Sequence, residues 1–138
     1  MVGIILITHG TLGDELIKVA SKIYGESKQV YAVPILPDDG KSVATEKLKQ
    51  AITKADTGEG VLLLTDGFGG SPSNLCLGIF KDTHCEIVTG VNLSMLLEVL
   101  CYQNRVDLKE LANRAVSGGK QGIVYASELF RQKLNPTS

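Results

Sequence analysis

The chain has no tryptophan, only seven aromatic residues (four Tyr, three Phe), three cysteines and two histidines. Each scarcity removes a class of protein. Cys76, Cys85 and Cys101 are odd in number and form no C-x-x-C pair, which argues against a disulfide framework and against a zinc knuckle. The formal net charge is −1, with no basic run or arginine cluster, so neither nucleic acid nor an anionic membrane surface is expected as the main partner. Apolar runs are far shorter than the roughly 20 residues a membrane span needs, so no membrane insertion is expected. The apolar start also lacks the basic lead of a secretory signal, so a cytoplasmic protein is expected. No Walker pattern G-x-x-x-x-G-K-[ST] occurs, and no G-x-G-x-x-G follows the first apolar run. Internal repeats, low-complexity stretches and linkers are missing too. The 138 residues therefore read as one domain, residues 1–138, large enough to bury a core.

What is present is alternation. Residues 2–7 (Val-Gly-Ile-Ile-Leu-Ile) are continuously apolar with a β-branched bias, and run into Thr8-His9-Gly10. Such a run predicts a strand buried on both faces, as in a parallel sheet covered by helices. Leu12, Leu16, Ala20 and Ile23 recur at helical spacing up to Gly25. Residues 30–35 are a second strand, whose Pro34 places it at an edge. After Asp38-Asp39-Gly40, one face of a second helix carries Ala44, Leu48, Ala51, Ile52 and Ala55. Residues 61–65 are a third, central strand, leading into Asp66-Gly67-Phe68-Gly69-Gly70-Ser71-Pro72-Ser73-Asn74, where Pro72 suits the first turn of a helix. Residues 86–91 are a fourth strand. Asn92 caps an apolar helix over 93–100, and Asp107 with Glu110 opens another, which Gly118-Gly119 is expected to end. Residues 122–126 are expected as a fifth strand, followed by a polar helix.

Four strand-to-helix alternations predict right-handed crossovers and a doubly wound, flavodoxin-like α/β fold with strand order 2-1-3-4. Strands 1 and 3 are then neighbours and the switch point lies between them. His9 comes to stand beside Asp66 at the carboxyl ends of the strands, with the glycine-rich loop overhanging both.

A carboxylate that accepts the N–H of one imidazole nitrogen leaves the other as a nucleophile. Gly69, Gly70 and Ser71 offer backbone N–H groups and a hydroxyl at a helix start, which suits an anion. Together these suggest a phosphohistidine site, with His9 and Asp66 catalytic and the three loop residues holding phosphate; no metal or cofactor is called for. Each part also has a plainer reading. Asp66 can cap its own turn, and Gly-Gly-Ser-Pro can be a simple strand-to-helix loop. His84 reads as a surface residue and the cysteines as core or interface filling. A serine hydrolase built on Ser71, His9 and Asp66 is a rival, weakened because Ser73 stands where the second glycine of G-x-S-x-G belongs. A nucleotide-binding module is weaker still.

Nearly the whole chain resembles the mannose-type IIA component of the bacterial phosphoenolpyruvate-dependent sugar phosphotransferase system. The resemblance rests on Thr8-His9-Gly10, on Asp66 with Gly69-Gly70-Ser71-Pro72, and on Gly90-Val91-Asn92 leading into Met95-Leu96. It implies that His9 accepts a phosphoryl group from phosphorylated HPr and passes it to a IIB component for sugar uptake or regulation; either that IIB component is expected on a separate chain, or the domain is a regulatory phosphoacceptor that feeds no transporter. It implies that Asp66 pairs with the unphosphorylated ring nitrogen, that Ser71 and its neighbours hold the phosphate, and that the protein is a homodimer exchanging its C-terminal strand. Thr11 replaces an expected aromatic residue and Ser94 an expected proline, both on the rim that would meet partners. The nearest relative in function, the phosphotransfer subunit of a dihydroxyacetone kinase, matches the 66–74 block less well.

Overall fold

A computed structural model describes residues 1–67 and 69–135. Strands β1 (Gly3–His9), β2 (Val30–Ile35), β3 (Val61–Thr65) and β4 (Cys85–Thr89) form one parallel sheet in the order β2-β1-β3-β4. Helices α1 (Leu12–Tyr24), α2 (Lys41–Ala55), α3 (Ser71–Ile79), α4 (Leu93–Tyr102), α5 (Leu108–Gln121) and α6 (Ala126–Leu134) follow in chain order, with a 3-10 turn at Phe80–Asp82. The doubly wound order expected from the sequence is the one observed.

Side-chain alternation along the central strands sorts the core into two layers. Ile4 and Leu6 of β1 and Leu62 and Leu64 of β3 face α1, α4 and α5, meeting Ala20, Leu96 and Leu111. Ile5, Ile7, Val61 and Leu63 face α2 and α3, meeting Leu48 and Cys76. All of these are fully buried. That is why β1 and β3 read as unbroken apolar runs rather than as alternating ones. Pro34 sits in β2, an edge strand, where a missing donor costs no ladder bond on the open side.

One expectation is corrected, and another is not seen in the single chain. Gly118-Gly119 does not end α5, which runs on to Gln121. A Cβ on Gly118 would stand 2.6 Å from Glu98 Cβ, and one on Gly119 would stand 2.9 Å from Met95 Cε. The two glycines let α5 lie close against α4; termination falls to Gly122, whose N–H is shared by the carbonyls of Gly118 and Gly119. The fifth strand expected over residues 122–126 does not form within this single chain: residues 123–125 have no strand assignment, and α6 begins at Ala126. A strand needs a ladder partner, and within this single chain residues 123–125 pair with none of the four strands.

Candidate active site

β1 ends at His9, and its register pairs Ile7 with Thr65 of β3, so the residues just beyond both strands meet. Asp66 Oδ2 accepts the backbone N–H of His9 at 3.1 Å and lies 2.9 Å from His9 Nδ1. One carboxylate oxygen therefore holds both the main chain and the ring of His9. An ionised carboxylate only accepts, so a neutral His9 ring places its proton on Nδ1 and its lone pair on Nε2. The His9 side chain is 62% exposed while that of Asp66 is 13% exposed. The carboxylate is sheltered while the imidazole is open to solvent.

Beneath the ring lies the glycine-rich loop. A Cβ on Gly70 would stand 3.0 Å from His9 Cε1 and 3.4 Å from Nε2, so only glycine lets the backbone come this near without pressing on the imidazole. Gly69 has φ +89°, a left-handed conformation that side chains disfavour. Ser71 opens α3 immediately after, with Gly70 as the N-cap residue and Pro72 in the first turn. The start of α3, with its unpaired N–H groups, thus lies beside the His9 ring.

His9 and Ser71 share a cleft of about 710 Å³ with Leu36, Asp39, Lys41 and Asn74. Asp39 stiffens one wall: its Oδ2 accepts the Leu36 N–H at 3.0 Å and the Lys47 ammonium at 2.8 Å. The Lys47 bond, with help from the Leu36 N–H, holds the Asp39 carboxyl below the usual carboxylate range. No hydrogen bond joins Ser71 to His9 among the described residues.

Three supports escaped the sequence reading. Thr11 is the N-cap residue of α1 yet makes no capping bond. The work falls to Thr8, whose buried Oγ1 accepts the Gly13 N–H at 2.9 Å and so fixes the turn that carries His9. A polar residue at the end of an apolar strand was the available signal. Gly13 itself lets α1 approach, since its Cβ would lie 3.0 Å from Leu6 Cβ. At the other side, the N–H groups of Gly90 and Val91 both reach the Thr65 carbonyl at 2.8 Å, so the loop after β4 braces the residue before Asp66.

His84 is exposed just before β4, at the opposite end of the parallel sheet from His9. Cys76 and Cys85 are buried, and burial, with a smaller contribution from the nearby Cys85, pushes the Cys76 thiol up to about 12. A thiol so reluctant to ionise is no nucleophile. Among the described residues no group of His, Cys, Asp and Glu could hold a metal ion.

Fold and site together define a flavodoxin-like α/β protein that presents a carboxylate-oriented imidazole at its switch point. The family model described as "PTS system fructose IIA component" (EIIA-man) matches residues 3–116. The chain is 33% identical to the fructose-specific EIIA component of the Bacillus subtilis phosphotransferase system, over 93% of this chain and 88% of that protein. It is 35% identical to the mannose-specific EIIAB component of Escherichia coli over 88% of this chain, and spans 38% of that relative's length. The mannose/sorbose-specific IIA subunit from Enterococcus faecalis superposes with a TM-score of 0.80 at 26% identity, covering 89% of this chain and 92% of that one. An EIIA component from Streptococcus agalactiae has the same fold, with a TM-score of 0.85 at 23% identity over 93% of this chain and 99% of that one. The chain belongs to the mannose-type IIA family of the sugar phosphotransferase system. The comparisons support neither the dihydroxyacetone kinase nor the serine hydrolase reading. No helix among the described residues is long and apolar enough to cross a membrane.

Proposed function

We propose that residues 1–138 form one phosphoacceptor domain, in which His9 Nε2 takes a phosphoryl group from phosphorylated HPr and hands it to a IIB component. The observation that carries this reading is the Asp66 Oδ2 contact with His9 Nδ1 at 2.9 Å, made by a histidine that lines the cleft. Transfer is in line. The N–P bond of the donor phosphohistidine breaks as the Nε2–P bond forms, and the donor imidazole keeps the electron pair. Positive charge growing on the His9 ring is balanced by Asp66, and charge on the phosphoryl oxygens meets the backbone of Gly69 and Gly70, the Ser71 hydroxyl and the α3 N-terminus. The reaction runs in the cytoplasm, where its soluble donor is found.

The same proposal includes a homodimer in which residues 122–126 cross to the partner and add to the free edge of β4. Ile123 and Tyr125 support it, being 79% and 71% exposed in the single chain. Large apolar side chains on an exposed arm, in a chain whose β4 edge is unpaired among the described residues, invite strand addition between two copies.

The test of the relay is incubation with phosphoenolpyruvate, enzyme I and HPr, followed by mapping of the acid-labile phosphate. Label is expected on His9 and is lost in His9→Ala, whose melting temperature stays near that of the parent. Full labelling of that variant would overturn the assignment.

A further inference from the structure

Among the described residues lining the His9 cleft, Asp39 and Lys41 are the two with a fixed charge. Their situations differ. Asp39 is neutralised by Lys47 and by the Leu36 N–H, as described above. Lys41 has no anionic partner among the described residues, so it stands as the uncommitted cation of the cleft. Its position is unusual as well. Lys41 is the first residue of α2, whose first turn contains no acidic residue. A helix start favours carboxylates and disfavours ammonium groups, so local preference does not account for a lysine there. Rules of local structure tend to be broken where a site requires it.

Resting on the relay reading, we infer that Lys41 supplies the counter-charge for the phosphoryl group on His9, making it a positioning residue that stabilises the phosphorylated form. A phosphoryl group on Nε2 brings close to two negative charges into a cleft whose other anion is already paired. Asp66, held against the same ring, repels that charge. An exposed lysine lining the same cleft offsets the repulsion without blocking the approach of a partner, because its long side chain can swing out to solvent. Arginine would serve equally, glutamine poorly, and glutamate would add to the repulsion.

The test uses the full chain with Lys41→Gln, Lys41→Glu and Lys41→Arg beside the parent. The phosphorylated fraction is measured at equilibrium with fixed ratios of phosphorylated to unphosphorylated HPr, and the transfer rate by rapid quench. The equilibrium constant does not depend on how the donor docks, so it reports on the phosphorylated state itself. Glutamine is expected to lower that constant by about 2- to 5-fold, as one exposed charge contact can. Glutamate should lower it further and arginine should leave it within about twofold. The differences should shrink near 1 M salt, where screening acts within about 3 Å. Melting temperatures should hold or rise in the glutamate variant, because an acid suits that helix start. A purely structural lysine would give the reverse. Unchanged equilibrium constants in the glutamine and glutamate variants overturn the inference, as does a change confined to the rate, which assigns Lys41 to docking. Absence of label on the parent chain overturns the relay reading and this inference with it.

Discussion

At the scale of the residue, the pairing of Asp66 with His9 is the interaction most open to measurement. A hydrogen bond to a charged group is worth about 1.5–3 kcal/mol, so losing it should slow phosphotransfer by roughly 10- to 100-fold. Asp66→Asn keeps the shape, removes the charge and can turn an N–H toward Nδ1, which favours the tautomer with the wrong nitrogen protonated. It should be at least as damaging as Asp66→Ala, with little change in melting temperature for either. Rapid-quench kinetics with phosphorylated HPr measure this, and near-normal rates in both variants would reduce Asp66 to a shaper of the loop. Gly70→Ala probes the opposite face of the ring. Gly70 has φ −83°, which alanine adopts freely, so the obstruction is steric alone: a Cβ 3.0 Å from His9 Cε1. The exposed ring can yield by a few tenths of an ångström, so the fold should survive. Transfer should drop by about 3- to 10-fold, because in-line geometry tolerates little displacement. Parent-like kinetics in Gly70→Ala would show that the ring position is not critical.

Among the elements, the contact between α4 and α5 offers the clearest competition of magnitudes. Gly118→Ala gains up to about 1 kcal/mol of helix propensity. Against that, its Cβ would meet Glu98 Cβ at 2.6 Å, and overpacking of this kind costs about 1–3 kcal/mol. The clash should win, lowering stability by about 1–2 kcal/mol in chemical denaturation. An equal or raised midpoint would mean that α5 slides aside at no cost. The same contact shows why part of the fold was hard to read. Gly118-Gly119 has the composition of a helix stop, and only the partner helix turns it into a packing face. Thr8 and Thr11 show the same thing for caps: both have the right chemistry, and the tertiary turn after β1 gives the bond to Thr8. By contrast, Asn92 and Asp107 cap α4 and α5 as their sequence positions suggest, accepting the N–H groups of Met95 and Glu110. Those bonds span three residues and need nothing from elsewhere.

For the whole molecule, the C-terminal arm is the open question of assembly. α6 has no buried residue, and Phe130 and Leu134 on it are exposed along with Ile123, Val124 and Tyr125. A chain ending at Gln121 keeps all of α5 but loses the arm. If the arm pairs with a partner's β4, the full chain should sediment as a dimer. The truncated chain should then sediment as a monomer with a melting temperature lower by about 5 °C or more. A full chain that is monomeric at tens of micromolar, or a truncated chain of unchanged stability, would remove strand exchange from the account.

The layered α/β fold and the meeting of His9 with Asp66 lay in the sequence itself. Burial on both faces requires unbroken apolar strands, and right-handed crossovers leave few ways to order four of them. That ordering already puts His9 next to Asp66. What the tertiary structure decided were relations between distant segments: which oxygen of Asp66 holds the ring, that Gly70 is needed for its lack of a Cβ, and that Lys47 neutralises Asp39 and leaves Lys41 free at the cleft. These follow from distances across the switch point, which no local pattern encodes, because hydrogen bonds and charge pairs depend on ångströms that only the packed core sets.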